Sequence, residues 1–257
     1  MAGCEGFLGT CLPRPTIVSR WSRPGRTGRV QIDPVAAGAA AIALGVGVAA
    51  PPAAAGSPQR PVVSPNEALG RLVAGNQRFA AGHGRHPHQG LADLHRLASG
   101  QHPFAITVGC ADSRVPPEVL FDQGLGGLFD NRVAGNIVDD LLLGSVEFAV
   151  TEFHSPLIVV LGHERCGAIS ATIDAIRDGG SAPSHIGTVV DALRPIVAPV
   201  LTKPGDPVDN AVRANIRAQV RGLLSRSEII AERVRQGALK VVGARYDLDD
   251  GRVTLVG

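Results

Sequence analysis

Cysteine is scarce in this 257-residue chain, with four residues, and methionine, tryptophan and tyrosine occur once each. A disulfide scaffold is excluded, because four cysteines cannot staple a fold of this size and a chain this long buries roughly 70–75% of its unfolded surface without help. An excess of either charge is also missing, since 25 Lys+Arg face 23 Asp+Glu. Five arginines and two acids fall in residues 1–59, which leaves the remainder at a net charge of −1. A nucleic-acid-binding body is strongly basic, so no nucleic-acid partner is expected. The third absence is a membrane-length apolar run. The one candidate, Val35–Ala50 (VAAGAAAIALGVGVAA), is sixteen uncharged residues rich in Ala and Gly, short of the ~20 strongly apolar residues of a spanning helix. No stable membrane span is expected. What is present, 44% hydrophobic residues with only 19 prolines, is the composition of a globular protein with one sizeable core.

The apolar run follows an Arg-rich stretch and precedes PPAAAGSP, the order of charged, apolar and small-residue regions in an export signal. Residues 1–59 therefore read as an export signal cut near Ala53-Ala54-Ala55, or as a low-complexity leader, and residues 60–257 as the folded domain. An exported location (periplasm, cell wall or secreted) is the first expectation and a cytoplasmic one the alternative.

Beyond the leader, the apolar residues of 65–82 recur at helical spacing behind Ser64, a helix with a serine N-cap. Three short bursts rich in β-branched residues and bounded by Gly or Pro, at 104–109, 128–133 and 157–162, read as strands. Helices are expected at 139–153 and 168–178, with two more across 186–236. A terminal pair at 239–246 and 252–256, joined by Asp249-Asp250-Gly251, reads as a hairpin. Alternating strands and helices predict an α/β fold: a mostly parallel four- to five-stranded sheet, helices on both faces and an antiparallel edge strand.

Function in such sheets collects at the C-terminal ends of strands. Cys110-Ala111-Asp112-Ser113-Arg114 follows the first strand and His163-Glu164-Arg165-Cys166-Gly167 follows the third. Both cysteines outside the leader thus stand directly after strands. Two thiolates, an imidazole and a carboxylate make a zinc-type donor set; a Cys110–Cys166 disulfide and plain burial are the competing readings, and spacing does not decide among them. The histidines of HGRHPH (His83, His86, His88) read as a solvated loop, and the arginines recurring over 213–235 as a solvated helical face.

FAITVGCADSRVPPEVLFDQGLGGLF, RVAGN and LIVVLGHERCGAI, within residues 104–169, resemble the β-class carbonic anhydrases, whose Cys-x-Asp-x-Arg and His-x-x-Cys-Gly elements occur in this order and at about this separation. The resemblance implies one Zn²⁺ held by Cys110, His163 and Cys166, with Asp112 and Arg114 as a dyad at the fourth position. It implies reversible hydration of CO₂ to bicarbonate and a proton by zinc-bound hydroxide, which Asp112 orients. It also implies a homodimer or higher homo-oligomer, with Phe129, Val133, Ala134 and Gly167 walling the CO₂ pocket. Asp112 has two states in that scheme, ion-paired to Arg114 or bound at the fourth position. Where some family members carry a tryptophan of a regulatory bicarbonate pocket this chain has Thr107, which favours the open form. Glu164 and His185 are candidate proton shuttles. A COS or CS₂ hydrolase on the same scaffold and a non-catalytic zinc-stabilised module are the alternatives.

Overall fold

The computed structural model describes residues 63–257. The leader at 1–59, with its apolar run and its expected cleavage site, lies outside the described residues.

The first helix, α1 (Pro65–Ala80), begins where Ser64 Oγ accepts a hydrogen bond from Glu67 N at 3.2 Å, with Pro65 in the first turn. A short α2 (Leu91–Leu97) leads to β1 (Ala105–Gly109), then α3 (Pro117–Leu120), β2 (Leu128–Arg132), α4 (Asp140–Glu152) and β3 (Leu157–His163). Next come α5 (Gly167–Arg177), α6 (Ile186–Val197), α7 (Pro207–Arg226), α8 (Glu228–Arg235), β4 (Lys240–Tyr246) and β5 (Val253–Val256). Three helices occupy 186–236 where the apolar spacing suggested two. Ser227 is the reason: its backbone is extended (φ −119°, ψ 109°), it ends α7, and its hydroxyl caps α8 by accepting from Ile230 N. At seven and four residues, α2 and α3 are too short to show a helical periodicity.

The five strands form one sheet in the order β2-β1-β3-β4-β5. The first four are parallel, in registers running from Ala105↔Leu128 to Gly109↔Arg132, from Ile106↔Ile158 to Gly109↔Leu161, and from Leu157↔Lys240 to His163↔Tyr246. β5 returns antiparallel as the edge. Strand β3 is buried along its whole length, as a central strand covered on both faces must be.

Alternation along the strands splits the core in two. Ile106, Val108, Ile158 and Val160 pack with α4 to α8 on one face. Leu157, Val159 and Leu161 face the other way, where Ala68 and Leu72 of α1 and Leu120 of α3 cover them. The second face has the thinner cover, so α1 needs specific anchors. Buried Asn76 donates to Leu120 O at 3.0 Å and to Gly251 O at 2.9 Å, and accepts from Val253 N at 2.8 Å. Arg78 pairs with buried Asp122 at 2.6 Å. Among the described residues no helix is long and apolar enough to cross a membrane.

Gly75 lets α1 approach this closely, since a Cβ there would stand 1.8 Å from the Phe121 carbonyl oxygen. Gly75→Ala is expected to push α1 away from the Phe121 turn that ends α3 and to cost about 1–3 kcal/mol or more, as overpacked sites do. Thermal unfolding checks this, and an unchanged midpoint contradicts it.

Candidate metal centre

Two adjacent parallel strands end side by side at β1 and β3, so the residues that follow them meet. Cys110 is the first residue past β1, His163 the last of β3, and Cys166 the N-cap of α5. All three are buried, and their ligating atoms lie within 4.8 Å of one another. Both cysteines are free thiols, which removes the disulfide reading.

The ring of His163 is fully buried and held in one tautomer. Its Nδ1 donates to the Glu164 carbonyl at 2.8 Å, which leaves Nε2 with a lone pair and no hydrogen-bond partner. A buried acceptor of this kind, aimed at two sulfurs, is costly unless something binds it. Tetrahedral zinc, with Zn–S of about 2.3 Å and Zn–N of about 2.0–2.1 Å, keeps its donors within about 4 Å of one another, and the ligating atoms of this cluster lie within 4.8 Å. The residues therefore fit a Zn²⁺ ion, and Nδ1 bonded to a backbone carbonyl is the usual orienting contact of a ligating histidine.

Electrostatics match that donor set. The Cys110 thiol is pulled down to about 4 by the hydrogen bond from Cys166, with His163 and the N–H groups of Gly135 and Asp112 adding to it against burial. Cys166, left with the shared proton, is pushed up by Cys110 and by burial.

Asp112 stands beside the cluster, its Oδ2 3.9 Å from His163 Nε2. Arg114 clamps it bidentately, Nε to Oδ1 at 2.9 Å and Nη2 to Oδ2 at 2.8 Å, and the Arg114 N–H adds a third bond at 2.9 Å. That guanidinium holds the carboxyl well below the usual carboxylate range. In this arrangement Asp112 is ion-paired to Arg114.

The remaining sequence-predicted positions separate. Val133 continues the β1–β2 pairing, donating to Gly109 O and accepting from Ala111 N, both at 3.2 Å, and Ala134 follows it, exposed. Gly167 opens α5 with no atom within 4 Å of where a Cβ would stand, so packing does not demand glycine there. Phe129 is in register with Ile106, about 13 Å along the sheet from Cys110 at ~3.3 Å per residue. Its ring packs against Phe148 and Phe153, centroids 6.4 and 5.7 Å away. Glu164 is anchored away from the cluster's open side, its carboxylate accepting from Arg245 and from Leu248 N. His185 is exposed before α6. Thr107 donates to the half-buried Asp130 carboxylate, whose pKa is raised by desolvation.

Three contributors escaped the sequence reading. Arg132, the last residue of β2, donates to the carbonyls of Cys110 (2.9 Å) and Asp112. Gly135 N donates to Cys110 Sγ at 3.4 Å. Arg245 of β4 ties Glu164 and Asp209 together. Arg132 and Gly135 sit within RVAGN just past a strand end, a position that was itself a signal; Arg245 had none. The acidic group Glu164, Asp247 and Asp249 is accounted for by its ion pairs with Arg245 and Arg165.

The sequence profile of a family described as carbonic anhydrase matches residues 105–253. Carbonic anhydrase 2 of Mycobacterium tuberculosis is 44% identical over 195 residues, covering 76% of this chain and 94% of that protein. A carbonic anhydrase of Mycolicibacterium smegmatis is 40% identical over 195 residues, covering 76% and 95%. Among solved structures, the Coccomyxa β-carbonic anhydrase in complex with acetazolamide superposes with a TM-score of 0.58 at 27% identity, covering 73% of this chain and 86% of that one.

Proposed function

The chain belongs to the β-class carbonic anhydrase family, and from that premise we propose that it hydrates CO₂ reversibly to bicarbonate and a proton at a Zn²⁺ held by Cys110, His163 and Cys166. The observation that carries this reading is the buried, unpartnered Nε2 of His163 lying within 4.8 Å of two free thiols, beside the Asp112–Arg114 pair. When bound, the ion supplies a Lewis acid that acidifies water, less strongly than an all-histidine site because two thiolates cancel its charge.

The chain's own residues supply the rest. Asp112, kept ionised by Arg114, presents an acceptor on the open side of the cluster and so orients a donor placed there. Arg132 and Arg114 fix the backbone and side chain of that residue, which limits its swing toward the metal. Val133, Ala134 and Gly167 border the apolar approach a nonpolar gas needs. In this reading Phe129, on the free edge strand β2, serves the site of a second copy. Exposed Leu141 and Phe148 on the neighbouring α4 favour a homo-oligomer as the working form. COS and CS₂ fit the same chemistry, and assays with CO₂ and CS₂ side by side separate them. Residues 1–59 act in this reading as an export signal; N-terminal sequencing of exported protein should begin just after Ala55, and full-length protein confined to the cytoplasm would overturn it.

Three outcomes are expected. Elemental analysis of purified protein finds about one zinc per chain, and His163→Ala loses it together with stopped-flow CO₂ hydration; active protein holding less than half an equivalent contradicts the assignment. Arg114→Ala keeps its zinc but loses turnover by about a hundredfold, whereas a non-catalytic zinc module would be indifferent. The pH dependence comes next. Arg114 lowers the pKa of Asp112, so this carboxylate is ionised from pH 6.5 to 9 and adds no limb there. The rate is expected to climb across that range, since an ion held by two thiolates would acidify water only weakly, and a flat profile contradicts the two-thiolate site.

A further inference from the structure

Helix α7 carries two amides on a face that otherwise packs Val212, Ile216 and Leu223 into the core: Asn215 is 1% and Gln219 7% exposed. Apolar residues of similar volume would fill the space without the cost of desolvating amides. Every hydrogen bond of this pair leads toward one segment. Asn215 Nδ2 donates to Gly135 O at 2.8 Å and to Asn136 Oδ1 at 3.2 Å. Gln219 Nε2 donates to Asn215 Oδ1 at 2.9 Å, and Val138 N donates to Gln219 Oε1 at 3.0 Å. The segment 135–138 is thus held at three points by a helix some eighty positions later in the chain.

The backbone of that segment turns at two consecutive left-handed residues: Gly135 (φ 75°) adopts this region at no steric cost, whereas Asn136 (φ 44°) does so with a Cβ in place. A Cβ on Gly135 would also stand 3.0 Å from Leu193 Cδ1 and 3.2 Å from the Ala168 Cβ. The purpose of the conformation is visible at its first residue, whose N–H points at Cys110 Sγ.

We propose that Asn215 and Gln219 are positioning residues of the metal centre: they lock 135–138 so that the Gly135 N–H bonds Cys110 Sγ, and this bond governs how firmly the sulfur holds its ion. The inference rests on the zinc reading above. Hydrogen bonds to a ligating atom tune its donor strength, and losing such support typically costs 10–100-fold in metal affinity or activity.

The experiment uses full-length zinc protein and its Co²⁺-substituted form. Asn215→Asp keeps the side chain's shape but sets a carboxylate oxygen against Gly135 O and Asn136 Oδ1. Gln219→Leu removes the acceptor of Val138 N and is the milder change. Ile216→Val, on the same helix, controls for lost packing. Zinc release to a chromophoric chelator should quicken by about tenfold or more in Asn215→Asp, and by less in Gln219→Leu. The thiolate-to-cobalt charge-transfer band should shift in both, with Ile216→Val unchanged in either measurement. Folded Asn215→Asp with wild-type release and band overturns the proposal, as does equal acceleration in Ile216→Val. If Asn215→Asp does not fold, Gln219→Leu decides by the same criteria. Wild-type protein that binds neither metal overturns this inference and the zinc reading together, whereas zinc-loaded, CO₂-hydrating wild type with unaltered variants overturns this inference alone.

Discussion

The hydrogen bond from His163 Nδ1 to the Glu164 carbonyl is the constraint on which the site depends. An imidazole with no exposed surface cannot turn to find a new partner, so committing one nitrogen to the backbone decides what the other must do. Glu164 is itself held: its N–H donates to Tyr246 O at 3.1 Å, and its carboxylate is bound by Arg245 and Leu248 N. The orientation of the unpartnered Nε2 therefore traces back to the pairing of β3 with β4 and to the hairpin beyond it.

The other half of the site hangs from β1 and β2. Cys110 receives support from the Gly135 N–H at its sulfur and from Arg132 at its carbonyl, and Arg132 reaches Asp112 O as well. A single guanidinium at the end of the edge strand thus spans the ligand and the carboxylate two residues later. Arg114 then sets the direction of that carboxylate. Thr107, within β1, is bonded to Asp130, its partner in register on β2, so this position carries a polar pair across the two strands.

The two faces of the sheet serve different ends. Helices α4 to α8 form the larger core, and that side also brings the α7 amides to the segment behind Cys110. The face under α1 is thin, and it is secured by polar anchors at Asn76 and Asp122 more than by apolar area. Beside it, exposed Val73 and partly buried Leu69 line a small apolar cavity that α1 shares with β5.

Much of the protein was legible from residue pattern alone. Continuous β-branched runs marked β1 and β3 because a central parallel strand has no polar side. Ser64 marked its helix because a free N–H end needs an oxygen. Cys110, Asp112, Arg114, His163 and Cys166 stood out because each cluster is local, written within five residues at a strand end. Other features had no local sign. The commitment of Glu164 to Arg245, the packing of Phe129 away from its own strand's end, and the reach of Asn215 and Gln219 to Gly135 join positions separated by up to about eighty residues, and the helix break at Ser227 turned on one backbone conformation. Short-range chemistry survives in a linear reading; which distant amide or guanidinium meets which carbonyl is decided only when the strands pair and the helices pack, because buried polar groups must then be satisfied by whatever the fold brings beside them.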